Sequence, residues 1–198
     1  MNSILDNVLS FIIGGAVMLL LSVLMMNMRS ASMTETINTN IQSNLVTVTD
    51  IMENDFRKVG YKVPLRPADS SVTYAGKDSL RMKGDLDNNG SVDYVVYYIG
   101  RSKPAENVNP RSRYLFRNFN GTVRVMNEGV TQLKFTYYDT LGNVLTASPS
   151  VTSPSKINAI KVTLSMESPF PSEITKRDTT YSYATREQTL KPRNLKVN

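Results

Sequence analysis

Residues 8–28, "VLSFIIGGAVMLLLSVLMMNM", form a run of 21 without one charged side chain, near the start of a chain that is otherwise largely polar. Coiled as a helix rising 1.5 Å per residue, the run is about 31 Å long, which matches the hydrocarbon layer of a bilayer. A cleavable secretory signal needs a basic stretch before a shorter apolar segment and a small-residue cleavage site after it. Here "MNSILDN" precedes the run with an acid and no base, and "MRSAS" closes it. The expectation is a helix that stays on the chain and crosses a membrane once.

No glycine or proline stands between Met28 and Gly60, and apolar residues continue at helical spacing as Met33, Ile37, Ile41, Leu45, Val48, Met52, Phe56 and Val59. Steps of three or four residues make one stripe on a helix, and Gly60 with Pro64 beyond supplies the stop. The spacing therefore predicts one helix over residues 4–59, about 84 Å long. A coiled-coil stalk would use the same stripe, but its flanks would carry Glu and Lys where this chain has Ser, Thr and Asn. The second half is expected to lie on the chain's own sheet.

From residue 70 the period changes to two. "LKFTYY" sets Leu133, Phe135 and Tyr137 against Lys134, Thr136 and Tyr138, and "AIKVTLSME" sets Ile160, Val162, Leu164 and Met166 against Lys161, Thr163, Ser165 and Glu167. Such alternation marks strands with one buried face. Shorter candidates are "SVTYA" from Ser71, "SLRMK" from Ser79, "RYLFRNF" from Arg113 and "GTVRVM" from Gly121; "VDYVVYYI", apolar on both faces apart from Asp93, suits an interior strand. Turn chemistry in "DNNG", "DTLGN" and "ASPSVTSPS" separates them. The fold class is α+β: a long N-terminal helix, transmembrane in its first half and amphipathic in its second, packed on an antiparallel sheet. Residues 1–29 form the membrane half. Residues 30–198 form a globular domain, with the amphipathic helix half over 30–59 and the sheet over 70–198.

The chain has no cysteine and no histidine. That removes disulfides, thiolate metal sites, the thiol nucleophile and the commonest general base. With no G-x-S-x-G and no phosphate loop either, a non-enzymatic role is expected. The formal net charge of +6 lies entirely after Arg29, because Asp6 and Arg29 cancel. Spread over a domain, it describes a soluble surface and gives DNA or lipid headgroups only a sequence-independent attraction.

One loop carries candidate ligands. "DLDNNGSVD" places Asp85, Asp87, Asn89, Ser91 and Asp93 at alternating positions around Gly90, the early positions of a calcium loop that gathers several oxygens on one hard cation. The twelfth position is Val96 rather than a bidentate Glu. Asn and Gly equally suit a tight hairpin turn without an ion, so both readings stand. Asn89 and Asn120 also begin N-x-Ser/Thr sequons, relevant only in a glycosylating pathway. In the membrane run, Gly14 and Gly15 permit close approach of a second helix or local loosening of their own. Asp6, at the lipid edge, calls for a partner, the headgroup layer or an N-cap role.

The order of these features resembles that of type IV pilins and type II secretion pseudopilins. "ENDFRKVGY", "GDLDNNGSVDYVVYY", "NEGVTQLKFTYYDTLGN" and "KPRNL" are similar to the helix end, the Asp- and Gly-rich hairpin, a later strand segment and the closing strand of the PilW-type minor pilins and the pseudopilin J group. The resemblance implies a structural subunit held in the bacterial inner membrane by a single pass, with its C-terminal domain in the periplasm or outside. It would assemble into, or prime the tip of, a pilus-like or secretion filament. Its partners would be other pilin or pseudopilin subunits and the inner-membrane assembly machinery, with the lipid bilayer before assembly. Asp6 would then meet the terminal amine of a neighbouring subunit. Family members carry a short basic leader and a glutamate near the mature start, followed by cleavage and N-methylation. This sequence has Asp6 in place of the glutamate and opens without the leader residues, which fits either numbering that starts near a processed end or a branch that escapes processing, so cleavage and N-methylation stay open. The competing expectation is a single-pass anchored periplasmic module that binds calcium or another ligand and never polymerises.

Overall fold

The computed structural model describes residues 2–63, 70–174 and 179–192. Its first element is one uninterrupted 56-residue helix, α1 (Asn2–Arg57). Ten strands follow: β1 (Val72–Ala75), β2 (Ser79–Gly84), β3 (Asp93–Ile99), β4 (Arg113–Phe119), β5 (Thr122–Tyr138), β6 (Val144–Leu145), β7 (Ala159–Glu167), β8 (Glu173–Ile174), β9 (Thr179–Thr180) and β10 (Tyr183–Leu190). The main sheet is antiparallel in the order β1-β2-β3-β4-β5-β7-β10, with β6 paired to β5; β8 and β9 form a separate hairpin. This is the α+β arrangement expected, and β3 is an interior strand.

Helix and sheet bury one another because their periods agree on one face each. Ile41, Leu45, Val48, Met52, Phe56 and Val59 sit in one cluster with Leu80, Met82, Val95, Tyr97, Leu133, Phe135, Tyr137, Ile160, Val162, Leu164 and Met166. The alternation in β7 is complete, every second residue being buried. Each such side chain contributes roughly 1.5–3 kcal/mol through removal from water. Phe56 stands at the centre, with its ring 6.2 Å from that of Tyr97 and 6.5 Å from that of Phe135. Thr49 also lies in the buried stripe and satisfies its own hydroxyl against the Leu45 and Val46 carbonyls.

Several expectations need correction. Met33 was placed on the buried stripe but is exposed, and Ile37 is only partly buried against the core, so full burial of the stripe begins at Ile41. The helix ends at Arg57, two residues early, because the chain tightens through turns before Gly60, which takes φ 74°. Pro64 lies outside the described residues. "GTVRVM" and "LKFTYY" are not two strands but the two ends of the 17-residue β5, whose first part pairs with β4 and whose second part pairs with β7. Gly129 permits this: a Cβ there would lie 2.9 Å from the Glu167 carbonyl oxygen, and register shifts flank it. The closing strand expected at "KPRNL" falls mostly outside the described residues. Lys191 and Pro192 lie in no strand, residues 193–195 lie outside the described residues, and the last strand of the sheet is β10, just upstream.

Candidate functional site

Two regions carry the candidate residues. The first is the free half of α1. The apolar side chains from Val8 to Met28 are exposed, Phe11 at 83% of its surface, so this half makes no core with its own domain. One helix of the described residues is long and apolar enough to cross a membrane, and none of its most apolar window is buried. Asp6 is exposed, and its carboxylate makes no hydrogen bond or ion pair among the described residues; its carbonyl accepts the Ser10 hydroxyl at 2.8 Å. Since the helix starts at Asn2, Asp6 stands in its second turn and is not an N-cap. Gly14 and Gly15 neither break nor loosen the helix, and a Cβ on either would meet nothing within 4 Å. They form a smooth, unpartnered notch.

The second region is the β2–β3 loop. Gly84 and Asp93 are paired across the sheet, leaving residues 85–92 between them, so this is no two-residue hairpin turn. The loop is folded around its carboxylates. Asp93 Oδ2 accepts the Leu86 amide at 2.9 Å, Asp85 Oδ2 accepts the Gly90 amide at 3.0 Å, and Asp87 Oδ1 accepts the Asn89 amide at 3.1 Å. Asn88 and Gly90 take φ of 65° and 89°, which Asn and Gly tolerate best. One carboxylate oxygen from each of Asp85, Asp87 and Asp93 lies within 4.8 Å of the others, the first and last being buried. The other two expected ligands are exposed: Asn89 donates its side-chain amide to Asp87 Oδ2 at 2.8 Å, and its Oδ1 accepts the Ser91 amide at 2.7 Å.

Sequence reasoning missed what surrounds this loop. Asn120, in the β4–β5 turn, donates to Asp93 Oδ1 at 2.7 Å and accepts the Tyr94 amide at 2.8 Å. The turns just after α1 supply two ammonium groups: Lys58 reaches the Leu86 carbonyl at 2.7 Å, and Lys62 reaches Asn88 Oδ1 at 2.8 Å and Asp85 Oδ2 at 3.4 Å. Backbone bonds join the same segments, Gly60 N–H to the Lys83 carbonyl at 2.9 Å and Asp85 N–H to the Tyr61 carbonyl at 3.0 Å. Nothing in the spacing announced these partners, because each comes from a distant element.

A third polar cluster joins the helix to the sheet under cover. Asp55, 5% exposed, accepts from the Tyr97 hydroxyl at 2.5 Å and from Arg117 at 2.8 and 3.2 Å. Burial, reinforced by the Asp55 charge, holds the Tyr97 phenol well above its ordinary value, so the phenol stays a donor. A legible signal existed: Asp55 follows Met52 by three residues and adjoins Phe56, which puts an acid on the apolar stripe, where it must find a partner. The geometry is that of a structural lock.

No protein-family model matches the chain, and a search of the curated proteins finds no match.

Proposed function

We propose that this protein is a structural subunit of the minor pilin or pseudopilin kind, held in the bacterial inner membrane by residues 8–28 and drawn from there into a filament or its tip. The observation that carries the reading is the asymmetry of α1: one continuous helix, buried against the sheet from Ile41, touching the core at Ile37, and with its apolar side chains from Val8 to Met28 exposed. An apolar surface of that length needs either lipid or other helices around it. A filament core supplies the second by exchanging acyl chains for neighbouring helices, where the Gly14–Gly15 notch lets backbones approach. Asp6, without an ion-pair partner among the described residues, is the group that a neighbour's terminal amine would neutralise as the helix leaves the lipid. The sheet domain stays on the far side of the membrane and presents its surface to other subunits.

The test is Asp6→Ala in cells, followed by separation of sheared surface filaments from membranes. The reading expects the variant to accumulate in the membrane at normal levels and to fall several-fold in the filament fraction. Equal filament yield would refute the role given to Asp6. Wild-type protein found only in membranes would favour the anchored module that does not polymerise.

A further inference from the structure

We propose that the β2–β3 loop is a calcium site, built from Asp85, Asp87 and Asp93 and held partly neutralised by Lys62. The three carboxylates alone would not establish it, since acidic turns are common without an ion. The deciding feature is Asp85. It is 1% exposed, its Oδ2 is engaged by the Gly90 amide and faces Lys62, and its Oδ1 is buried with no hydrogen-bond partner among the described residues. A buried anionic oxygen without a donor is strongly unfavourable. A cation seated among the carboxylates removes that defect.

Size and donor type select the ion. Ligand atoms within 4.8 Å of one another are separated by no more than about twice a calcium–oxygen distance, so one ion can touch all three residues. The donors are oxygens only, as a hard cation requires. Exposed Asp87, with the loop's outer carbonyls and water, completes the shell from the solvent side. Magnesium fits less well, because it demands a tight octahedron and gives up water reluctantly. The buried carboxylates are already braced by amides of Leu86 and Gly90 and by Asn120, so little of the loop has to reorganise. With no bidentate Glu at the end of the loop, affinity falls in the range of extracellular modules, about 0.1–1 mM.

Lys62 makes the proposal specific. Its side chain is 45% exposed and its ammonium lies 3.4 Å from Asp85 Oδ2, so it competes with the ion for the same carboxylate. It also sits just beyond the end of α1, so the ion and the helix end share Asp85 as a common contact. This site stands on the loop's own geometry and is independent of whether the chain enters a filament.

The experiment is calorimetric titration of calcium chloride into the full chain in detergent after chelator treatment, with magnesium chloride as the second titrant. Expected are one site per chain in the sub-millimolar to millimolar range and at least tenfold weaker magnesium binding. Asp87→Asn, at an exposed position, weakens calcium binding about tenfold or more while the circular dichroism spectrum is unchanged. Lys62→Met tightens it about two- to fivefold, a gain that misfolding cannot produce. No heat up to about 10 mM calcium, equal affinity for magnesium, or affinity unmoved by either substitution would each overturn the proposal.

Discussion

Replacing Asp55 by alanine would remove the acceptor that Tyr97 and Arg117 share beneath the helix. The consequence can be sized from the burial of the three groups. Asp55 and Tyr97 are buried, while the Arg117 side chain keeps 23% of its surface. Breaking a fully buried ion pair costs about 3–5 kcal/mol, because the remaining charge is left uncompensated. Arg117 can regain some water, which sets the expected loss at the lower end, about 3 kcal/mol. For a domain of this size that is a fall in Tm of about 6–12 °C. The assay is thermal unfolding of the full chain in detergent, followed by near-ultraviolet circular dichroism of its ten tyrosines, there being no tryptophan. Hydrogen exchange locates the change: amides of residues 41–57 lose protection, while those of residues 8–28, which owe nothing to the sheet, keep theirs. Adding Arg117→Met restores part of the loss, since the stranded charge is gone. A loss under about 1 kcal/mol, or equal loss of protection in both halves of the helix, would refute the reasoning.

Gly84→Ala places a Cβ 2.4 Å from the Lys58 carbonyl oxygen, a backbone atom that cannot swing aside. The same unfolding assay should show a loss of about 2–3 kcal/mol, against about 1 kcal/mol for Gly142→Ala, where φ is 83° but the space is open. Tyr97 and Tyr137 both have phenols raised from 10.0, chiefly by burial, with the charge of Asp55 adding for Tyr97 and the nearby Tyr74 and Asp78 for Tyr137. A folded value above the unfolded one gives stability that is complete below pH 10 and drains away as pH rises beyond it. In an alkaline absorbance titration these two tyrosines should therefore ionise only together with loss of the tertiary signal; their ionising with the fold intact would contradict the burial. Glu53 is lowered by its bonds to Arg57 and Gln188, so the clasp between α1 and β10 should hold above pH 4.5 and loosen as pH falls below it. The Gln188 side-chain amide resonances report this directly, and their staying unmoved into strong acid would count against it.

The elements most legible in the sequence were those whose period is enforced by burial on one face. Ile41 to Phe56 on α1 and Ile160 to Met166 on β7 repeat without exception because one register alone buries them. Legibility failed where burial stops deciding. Met33 keeps the helical spacing yet lies before the sheet begins, so nothing in the domain covers it. The unity of β5 was hidden because its first residues, Val123 and Val125 among them, are exposed and only the second half alternates against the core. β10 was missed because "YATREQTL" is largely polar and gains its place from pairing with β7 along its whole length, with only Leu190 fully buried. At the loop, Asp85, Asp87 and Asp93 were read from spacing alone, and the structure brings them together. Lys58, Lys62 and Asn120 were not legible, since long-range partners of a turn leave no local pattern.

The central claim is that α1 is one continuous helix, covered by the sheet towards its C-terminal end and exposed along its apolar N-terminal part. The chain lacks cysteine, so single spin labels can be placed cleanly. Labels at Ile12 and Val46, both exposed, are separated by 34 residues of continuous helix, and pulsed dipolar measurement in a bilayer should return one narrow distance near about 50 Å. A markedly shorter or broadly spread distance would mean a break near Arg29, and the rod with everything built on it would be wrong.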